Sequence, residues 1–414
     1  MRSLAKIQSG SIKNILISSW WAGVHSVQGR RLVAANKSLK HKNISSVLAI
    51  GKAASSMYLG AVDLLGAEIK SGLLITKYHH VDDAIKGMSN VEVIESAHPV
   101  PDKNSLIAGE KAIDFVQKVP QTEALLLLVS GGASALAESL KSGFKLEELA
   151  QITEKLLANG CSIDAINATR TLLSKIKGGG LTGYFSGKAI FVNLISDVEG
   201  NDVSVIGSGI GSHQPATQII DKIPYDLVPQ LQQLQRVTAK SVQYASSPCH
   251  ATIIGSNEVA RLSIEKWYKK RGFKVNYNEE TLYGELNDIS RKIAATLLAG
   301  KPGVYIWGGE PTVNLPANPG TGGRNQSLAL SLAIRLGGHD NIHIIAAGTD
   351  GTDGPTLAAG GLVNGSTINE QHIDKAKNYL EAANAGTFLR ECNSLFVSGA
   401  TGTNVMDLVI AIKE

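Results

Sequence analysis

The sequence predicts an α/β protein of two domains, and three observations support this. Short apolar segments recur along the chain, and each is followed by a glycine-containing turn and a helical stretch. The apolar segments are nearly continuous rather than alternating, which is typical of parallel strands that helices cover on both faces of a sheet. The chain has 414 residues, more than one hydrophobic core usually serves. We therefore expect two three-layer domains with mostly parallel sheets.

The N-terminal half contains the clearest alternation of strands and helices. Its predicted strands lie at 45–50, 71–76, 91–95, 124–129 and 188–196. The first strand runs into Gly51 and Lys52 and then into a helical segment, and the fourth runs into two consecutive glycines, Gly131 and Gly132. Strands that alternate with helices predict a parallel sheet, in which ligands bind beyond the carboxyl ends of the strands.

Residues 222–248 interrupt this pattern, because they are polar, rich in glutamine and bounded by prolines. We interpret them as a helix and a linker at a domain boundary. The pattern then resumes, with predicted strands at 250–254, 273–277, 303–307, 341–348, 395–399 and 407–412. The predicted domains are therefore 1–240 and 241–414, and the last strand could pack back on the first domain.

The composition argues against several classes of protein. A net charge of +4 with scattered basic residues disfavours nucleic acid and anionic membranes as main partners. The three cysteines lie far apart and form no CxxC motif, which favours a reducing cytoplasm. No uninterrupted apolar run reaches the roughly 20 residues that a membrane span needs, and no secretory signal is evident. The oligomeric state stays open, with a homodimer as one alternative.

Residues 307–326 are the most informative stretch for function. A predicted apolar strand is followed by a glycine-rich loop, and a predicted amphipathic helix begins directly after Arg324. A flexible backbone followed by a helix N-terminus is a common anion site in proteins. Arg324 can add a two-pronged contact to a phosphate or carboxylate. The candidate ligand-binding residues of this stretch are Glu310, Gly322, Gly323 and Asn325.

Two further strand-end loops carry candidate phosphate-binding groups. Lys52 lies two residues beyond the first strand, where its charge could neutralise a phosphate; a solvent-exposed surface lysine is the alternative. Ser130, Gly131 and Gly132 follow the fourth strand and can present backbone N–H groups to an anion. A tight turn without a ligand is the alternative for these three residues. A nucleophilic serine is disfavoured because no G-x-S-x-G motif is present.

Three aspartates follow other strands. Asp197 could accept a proton from a substrate hydroxyl or bind Mg²⁺, but a helix cap is an equally good explanation. Asp350 and Asp353 lie three residues apart in a glycine-rich loop, with a spacing that does not fit an EF-hand. They suit a divalent cation that is held largely through phosphates. The alternative is an Asx-turn, which explains one of the two more easily than both.

Some expected motifs are absent from the sequence. There is no Walker A motif and no HRD or DFG motif of the protein kinases. No G-x-G-x-x-G follows the first strand, which argues against a nicotinamide enzyme. A kinase stays open, because phosphoryl transfer needs positioning and charge neutralisation rather than one particular loop.

Taken together, the motifs resemble those of a known family. They occur in the order IGKAA, SAHPVPD, SGGASAL, SKIKGGGL, LISDVEGND, GGEPTV with GTGGRNQSLAL, GTDGTDGPT and TGTNVMDL. This series is similar to the glycerate 2-kinase family, whose C-terminal half is the leucine-rich "multi-organism fragment" domain and whose members have often been labelled hydroxypyruvate reductases. The resemblance extends from about Ile50 to Leu408. It implies two Rossmann-like domains with the active site in the cleft between them.

The resemblance also implies an activity and its residues. The expected reaction is ATP-dependent phosphorylation of D-glycerate at its 2-hydroxyl group to give 2-phosphoglycerate, with Mg²⁺ or a similar cation. The functional lysine of the family matches Lys52, and its functional arginine matches Arg324. From the chemistry of carboxylates, we expect Asp197 to orient or deprotonate the acceptor hydroxyl, and Asp350 and Asp353 to hold the metal.

The chain departs from the family pattern in two places, which leaves alternatives open. Gly180 stands where relatives commonly have an arginine, and residues 203–213 also differ from the usual loop. A different small hydroxy acid is therefore an alternative acceptor. Two other functions stay open: an NAD(P)H-dependent hydroxypyruvate reductase, and a noncatalytic relative that binds a nucleotide or metabolite.

Overall fold

The computed structural model of the protein describes residues 9–212, 224–225 and 247–414. These residues form two compact units. Gly29–Ile254 is called the parallel-sheet unit below. The mixed-sheet unit combines Gly255–Glu414 with the chain up to Gln28. The predicted boundary at residue 240 lies outside the described residues, as does almost all of the predicted helix and linker at 222–248.

The parallel-sheet unit is built on a six-stranded sheet of order β3-β2-β1-β4-β5-β6. Its strands are β1 (Ile44–Ile50), β2 (Ser71–Lys77), β3 (Val91–Ser96), β4 (Ala124–Val129), β5 (Ala189–Ile195) and β6 (Cys249–Gly255). Strands β1 to β5 pair in parallel, in the strand order of a Rossmann fold. Every residue of β1 and β4 is buried, which explains their continuous apolar sequences.

Helices cover this sheet. They are α2 (Gly29–Ala35), α3 (Ala54–Leu65), α4 (Asp83–Lys86), α5 (Lys103–Gln117), α6 (Ala133–Leu136), α7 (Leu146–Ala158), α8 (Ile163–Leu173) and α9 (Gly180–Gly183). Short 3₁₀ turns lie at Lys37–Leu39, Gly66–Glu68, Glu199–Asn201 and Ile206–Gly209. Helix α5 begins with a capping box, in which the Asp102 carboxylate accepts from the N–H of Ser105 and the Ser105 hydroxyl faces the N–H of Asp102.

The mixed-sheet unit is built on a second six-stranded sheet, of order β13-β12-β11-β14-β9-β7. Its strands are β7 (Val275–Glu280), β9 (Gly303–Gly309), β11 (Ile342–Gly348), β12 (Gly360–Asn364), β13 (Leu395–Phe396) and β14 (Asp407–Lys413). A separate parallel pair consists of β8 (Gly284–Glu285) and β10 (Pro311–Thr312). The helices are α1 (Ser9–Ser26), α10 (Asn257–Lys269), α11 (Leu286–Ala299), α12 (Arg324–Arg335), α13 (Ile373–Glu381) and α14 (Ala385–Glu391), with a 3₁₀ turn at Glu370–His372.

The predicted α/β class is confirmed, but the strand directions of the second sheet correct the expectation of parallel strands. Only β7 and β9 pair in parallel there, while β14 is antiparallel to both of its neighbours, β9 and β11. Strands β12 and β13 also pair antiparallel. A run of apolar residues reports burial on both faces of a sheet and carries no information about direction.

The N-terminal segment and strand β6 belong to other units than the predicted domain division assigns them. The last strand, β14, lies in the interior of the second sheet rather than on the first domain, and β6 lies in the first sheet although it follows residue 240. The N-terminal helix α1 packs on α10 within the mixed-sheet unit. There the Ser19 and Tyr268 hydroxyl oxygens lie 2.9 Å apart, and the Ser263 hydroxyl donates to the carbonyl of Ala22 at 3.1 Å. The local sequence pattern of α1 does not identify the surface on which this helix packs.

A substitution at Gly23 tests the packing of α1 on α10. A methyl group at this position would lie 2.7 Å from Cδ1 of Ile264, closer than packed carbon atoms approach. We expect Gly23→Val to lower the free energy of unfolding by about 1–3 kcal/mol, the usual cost of overpacking, in a urea titration. Gly87→Val is the control, since nothing lies within 4 Å of a methyl group there. Equal stability of the two variants would contradict this packing.

Candidate active site

The loops that follow β1 and β4 interlock at the carboxyl edge of the parallel sheet. These two strands are neighbours although β2 and β3 separate them in the chain, so the strand order reverses between them. Ligands of open α/β sheets bind at this point. The backbone N–H of Lys52 donates to the carbonyl of Gly131 at 2.9 Å, and the N–H of Ala53 donates to the Ser130 hydroxyl at 3.0 Å. The structure therefore brings Lys52, Ser130 and Gly131 together.

Two glycines permit this close approach of the loops. A methyl group at Gly51, which has a φ of 131°, would lie 2.2 Å from Oγ of Ser130. A methyl group at Gly132, with a φ of 83°, would lie 2.9 Å from Cδ2 of His98 and 3.3 Å from Cγ of Lys52. Both positions therefore require glycine for conformation and for space. The imidazole of His98, which follows β3, adjoins Lys52 and Gly132.

The loop 130–132 suits an anion through its backbone. Ser130 is fully buried, and its hydroxyl accepts a hydrogen bond that fixes the neighbouring loop. Within the described ranges, the N–H groups of Gly131 and Gly132 donate to no protein acceptor. The predicted helix behind this loop is only the single turn of α6, so it adds little helix dipole. Backbone donors, rather than a helix N-terminus, are what this loop offers.

Asp197 follows β5, the strand next to β4, and is half-buried. Because β1, β4 and β5 run parallel, the loops that carry Lys52, the glycine pair and Asp197 leave the same edge of the sheet. The neighbouring residue Ser196 forms a local turn through contacts of its hydroxyl with the backbone of Val198 at 3.4 Å. No helix of the structure begins at Asp197, so a helix cap does not account for it.

In the mixed-sheet unit, two carboxylates hold the guanidinium of Arg324. Nε donates to Oδ2 of Asp407 at 2.6 Å, and Nη2 donates to Oδ1 at 3.2 Å, which makes a two-pronged ion pair. Nη1 lies 2.5 Å from Oε1 of Glu310. The Asp407 side chain is 1% exposed, while that of Arg324 keeps 36% of its surface exposed. Arg324 is thus oriented by protein groups and still reaches solvent.

The sheet register explains this arrangement. Strands β9 and β14 are adjacent and antiparallel, and Gly309 is directly opposite Asp407. Glu310 follows β9, so the two carboxylates lie side by side at the carboxyl end of that strand. Sequence reasoning did not select Asp407. The available signal was a carboxylate at the start of the otherwise apolar segment 407–412.

The carboxylates also determine the electrostatics of Arg324. Burial acts to lower the pKa of its guanidinium, but the charge of Asp407 and the hydrogen bond to it, with the charges of Glu310 and Asp353, raise the pKa overall. The guanidinium is therefore a permanent cation whose direction is fixed before a ligand arrives.

The carboxylate of Asp353 accepts hydrogen bonds from the N-terminus of α12, and the predicted contact of Asn325 with a nucleotide stays a prediction. Oδ1 of Asp353 accepts from the N–H of Asn325 at 3.0 Å, and Oδ2 accepts from the N–H of Gln326 at 2.8 Å and from its side-chain amide at 3.0 Å. Asp353 is 3% exposed. A buried carboxylate at a helix start satisfies the unpaired N–H groups and the helix dipole. The backbone N–H groups of Asn325 and Gln326 are therefore paired with Asp353.

The glycine-rich loop before α12 is fitted to this carboxylate. A methyl group at Gly323 would lie 2.3 Å from Cγ of Asp353, and one at Gly322 would lie 3.1 Å from the N atom of Gly386. The N–H of Thr321 donates to Oδ1 of Asn384 at 2.9 Å. Both glycines thus allow close packing against the protein, and their predicted contact with a nucleotide stays a prediction.

Asp350 has a different environment from Asp353. Its Oδ1 accepts from the N–H of Thr352 at 3.0 Å and from the Thr352 hydroxyl at 3.1 Å, which is an Asx-turn. Asp350 is half-buried at the end of β11. The structure gives the two aspartates of this loop separate roles, since one closes a helix and the other forms a turn.

The residues directly before Gly180 contact the other segment that departs from the family pattern, 203–213. The N–H of Gly178 donates to the carbonyl of Ser208, and that of Gly179 to the carbonyl of Gly209, both at 2.9 Å. A methyl group at Gly180 would lie 2.1 Å from the carbonyl oxygen of Lys175. This backbone therefore has no room for an arginine side chain at Gly180.

The sequence is similar to two known families and to proteins of known name. Residues 15–232 match a family model described as a domain of unknown function, DUF4147, and residues 303–407 match the MOFRL family. A D-glycerate 2-kinase of Thermotoga maritima is 34% identical over 92% of this chain and 93% of its own length. A glycerate 2-kinase of Pyrococcus horikoshii is 33% identical over 93% of this chain and 91% of its own.

The chain belongs to the glycerate 2-kinase family. The crystal structure of a glycerate kinase from Thermotoga maritima superimposes on this family member with a TM-score of 0.84. The two chains are 31% identical, and the match covers 98% of this chain and 100% of the Thermotoga chain. Relatives from Agrobacterium vitis, one of them 31% identical, carry hydroxypyruvate reductase names. Among the described residues of this family member, no helix has both the length and the apolar character that crossing a bilayer requires.

The closure of α12 by Asp353 predicts a pH dependence of stability. Burial raises the pKa of Asp353 from 3.8 to about 6, against the opposing effect of the N–H groups of Gln326 and Asn325 and with a further increase from the Asp407 charge. Ionisation therefore costs the folded state more than the unfolded state. The stabilisation is present below about pH 4 and is lost as the pH rises through about 6, by on the order of 3 kcal/mol.

Urea titrations of wild type and Asp353→Asn across this range test the expectation. The variant has no carboxyl group at this position to titrate. The free energy of unfolding of wild type, minus that of Asp353→Asn, should therefore fall as the pH rises from about 4 to about 6. A difference that stays constant with pH would show that the Asp353 carboxylate is not buried at the helix start.

Proposed function

We propose that this protein is a glycerate 2-kinase, which transfers the terminal phosphoryl group of ATP to the 2-hydroxyl group of D-glycerate. The observation that carries the proposal is the likeness, over more than nine-tenths of the chain, to two proteins named as 2-kinases of glycerate. The loops at the strand ends of the two units support this proposal. One offers backbone N–H groups beside a lysine, and the other offers an oriented guanidinium.

We assign the charge-stabilising roles to Lys52 and Arg324. Phosphoryl transfer passes through a transition state in which negative charge spreads over the equatorial oxygens, so fixed cations and N–H donors lower the barrier. Lys52 adjoins the N–H groups of Gly131 and Gly132, which suits it to an anionic group held in that loop. The orientation of Arg324 by Asp407 suits it to the phosphoryl group or to the glycerate carboxylate.

We assign the acceptor hydroxyl to Asp197. In the reaction, the 2-hydroxyl oxygen forms a bond to the terminal phosphorus, the bond from that phosphorus to the ADP oxygen breaks, and the hydroxyl proton leaves. A carboxylate at a strand end can orient the hydroxyl and accept this proton. Asp197 leaves the same sheet edge as Lys52 and the glycine pair, which supports this assignment.

Mg²⁺ fits the residues of the mixed-sheet unit. Among the described residues, the guanidinium of Arg324 has three carboxylates around it, those of Glu310, Asp353 and Asp407. A phosphate that binds there therefore needs further positive charge. Within the described residues, no group of three or more His, Cys, Asp or Glu side chains could hold a metal alone. Mg²⁺ requires only one or two carboxylates when phosphates supply other ligands. Asp350 would hold it, where it would neutralise phosphate charge, whereas both oxygens of Asp353 already accept N–H groups.

Other partners are proposed on less direct grounds. The three cysteines are free thiols in the structure, which supports a cytoplasmic location. Nothing in the composition supports nucleic acid as a partner. A homodimer is retained as an alternative to a monomer, and light scattering of the purified chain distinguishes them.

A coupled assay of ADP release tests the function. With ATP, Mg²⁺ and D-glycerate, we expect turnover and a product phosphorylated at the 2-position, identified by ³¹P NMR spectroscopy. Other small hydroxy acids in the same assay define the acceptor. ATP binding without ADP release from any of them would instead indicate a noncatalytic relative. Oxidation of NADH by hydroxypyruvate would favour the reductase name that some relatives carry.

Alanine substitutions test the two cations. We expect Lys52→Ala and Arg324→Ala each to lower kcat by on the order of 100-fold or more, because each removes a charge that stabilises the transition state. The matched controls are Lys118→Ala and Arg390→Ala, which remove exposed side chains in the same two units. Wild-type kcat in either folded active-site variant would refute the role of that residue.

A further inference from the structure

We infer that Asn257 is a positioning residue for Arg324, which acts by fixing the backbone turn that precedes Asp407. The inference rests on the catalytic role proposed for Arg324. Asn257 is the first residue of α10 and is 1% exposed. Its side-chain amide donates to the carbonyl of Val405 at 2.9 Å and to the carbonyl of Asp407 at 3.0 Å. One side chain thus holds the backbone on both sides of Met406.

The turn that Asn257 holds has an unfavourable conformation. Met406 has a φ of 66°, in the left-handed region that residues other than glycine rarely adopt. Such a conformation persists only where surrounding contacts impose it, and residues of this kind cluster at functional sites. Here it directly precedes Asp407, whose carboxylate holds Arg324. The strained residue therefore sets the direction in which the carboxylate leaves the chain.

Thr349 holds the same turn from another side. Its hydroxyl donates to the carbonyl of Met406 at 2.7 Å and accepts from the N–H of Val405 at 2.8 Å. Its backbone N–H also donates to the Met406 carbonyl, at 3.0 Å. Thr349 is fully buried. The turn is therefore bound by two buried polar side chains, which together satisfy its backbone groups.

Asn257 is itself held rigidly. Its Oδ1 accepts from Nε of Arg261 at 2.9 Å, and the rest of that guanidinium donates to Asn278 at 2.8 Å and to Glu280 at 3.1 Å. A methyl group at Gly308 would lie 1.7 Å from Oδ1 of Asn257, so the amide lies directly on the backbone of β9. All hydrogen-bonding atoms of the Asn257 amide thus have partners that fix its orientation.

The first test observes Arg324 without any activity. In wild type, we expect the Nε–Hε group of Arg324 to give a protected signal in ¹H–¹⁵N NMR spectra, because it donates to buried Asp407. The absence of this signal in Arg324→Lys would assign it. We expect Asn257→Ala to shift this signal and speed its hydrogen exchange by at least about 10-fold, since the acceptor loses its fixed direction. An unchanged signal would overturn the inference, even in a protein that phosphorylates nothing.

The second test is a double-mutant cycle in kcat. Misplacement of a catalytic group by about 1 Å costs on the order of 100-fold, so Asn257→Ala should lower kcat by about 10- to 100-fold. In the Arg324→Ala background, it should have almost no further effect, because the group that it positions is gone. Losses that multiply would indicate general structural damage and would overturn the inference. If Arg324→Ala retains wild-type kcat, the proposed role of Arg324 fails and the inference fails with it.

The chain offers a matched control and a second variant. The amide of Asn276 also donates to two successive backbone carbonyls, those of Lys301 and Pro302, at 3.0 and 3.1 Å. Asn276→Ala should leave the Arg324 signal and kcat unchanged. If Asn257→Ala does not fold, Thr349→Val removes the hydroxyl from the same turn. That variant should reproduce the shifted signal and the non-additive loss, and a normal Arg324 in it would overturn the inference.

Discussion

The ion cluster of Arg324 with Asp407 and Glu310 is the constraint on which the site of the mixed-sheet unit depends. A free arginine side chain has several flexible bonds, and fixing it costs roughly 2 kcal/mol of rotamer entropy. The ion pairs with the two carboxylates offset this entropy loss when the protein folds, before a ligand binds. In return, buried Asp407 needs the guanidinium, since an unpaired buried carboxylate is strongly destabilising. Each member of the cluster therefore explains the presence of the others.

The position of the last strand follows from this cluster. Because β14 runs antiparallel to β9 and β11, its first residue lies where those two strands end, and Asp407 is opposite both Gly309 and Gly348. A parallel strand in the same place would present its last residue at that edge instead. Insertion of the C-terminal strand between β9 and β11 thus delivers a buried carboxylate to the loops that carry Glu310 and Asp350. The mixed strand directions that distinguish this sheet from the first are what build the site.

The sequence predicted the α/β class, which the structure confirms, and it selected Lys52 and Arg324, whose roles stay proposals, because both predictions depend on local patterns. Apolar runs followed by glycine turns identify strand ends, and Lys52 and Arg324 are cations placed just beyond them. Asp407 was missed because it precedes its strand, and its importance depends on a strand direction that apolar runs do not encode. Spacing likewise could not separate the roles of Asp350 and Asp353. In a sequence, a carboxylate that binds a metal looks the same as one that accepts hydrogen bonds from a helix N-terminus. Only the structure distinguishes them, because it shows that the start of α12 lies within hydrogen-bonding distance of Asp353.

The two units offer different groups to the anions that we propose they bind. In the parallel-sheet unit, the loops after β1 and β4 approach so closely that glycines are required, and the backbone N–H groups of Gly131 and Gly132 lie near Lys52. Backbone donors have fixed directions and modest charge, so they suit recognition of an anion without strong binding. In the mixed-sheet unit, Asp353 takes up the N–H groups at the start of α12, which leaves recognition to the charged side chain of Arg324. The three carboxylates around it, those of Glu310, Asp353 and Asp407, would repel a phosphate that arrived without a cation. The proposed role of Mg²⁺ at Asp350 follows from that excess of negative charge, since a phosphate beside Arg324 would need further positive charge.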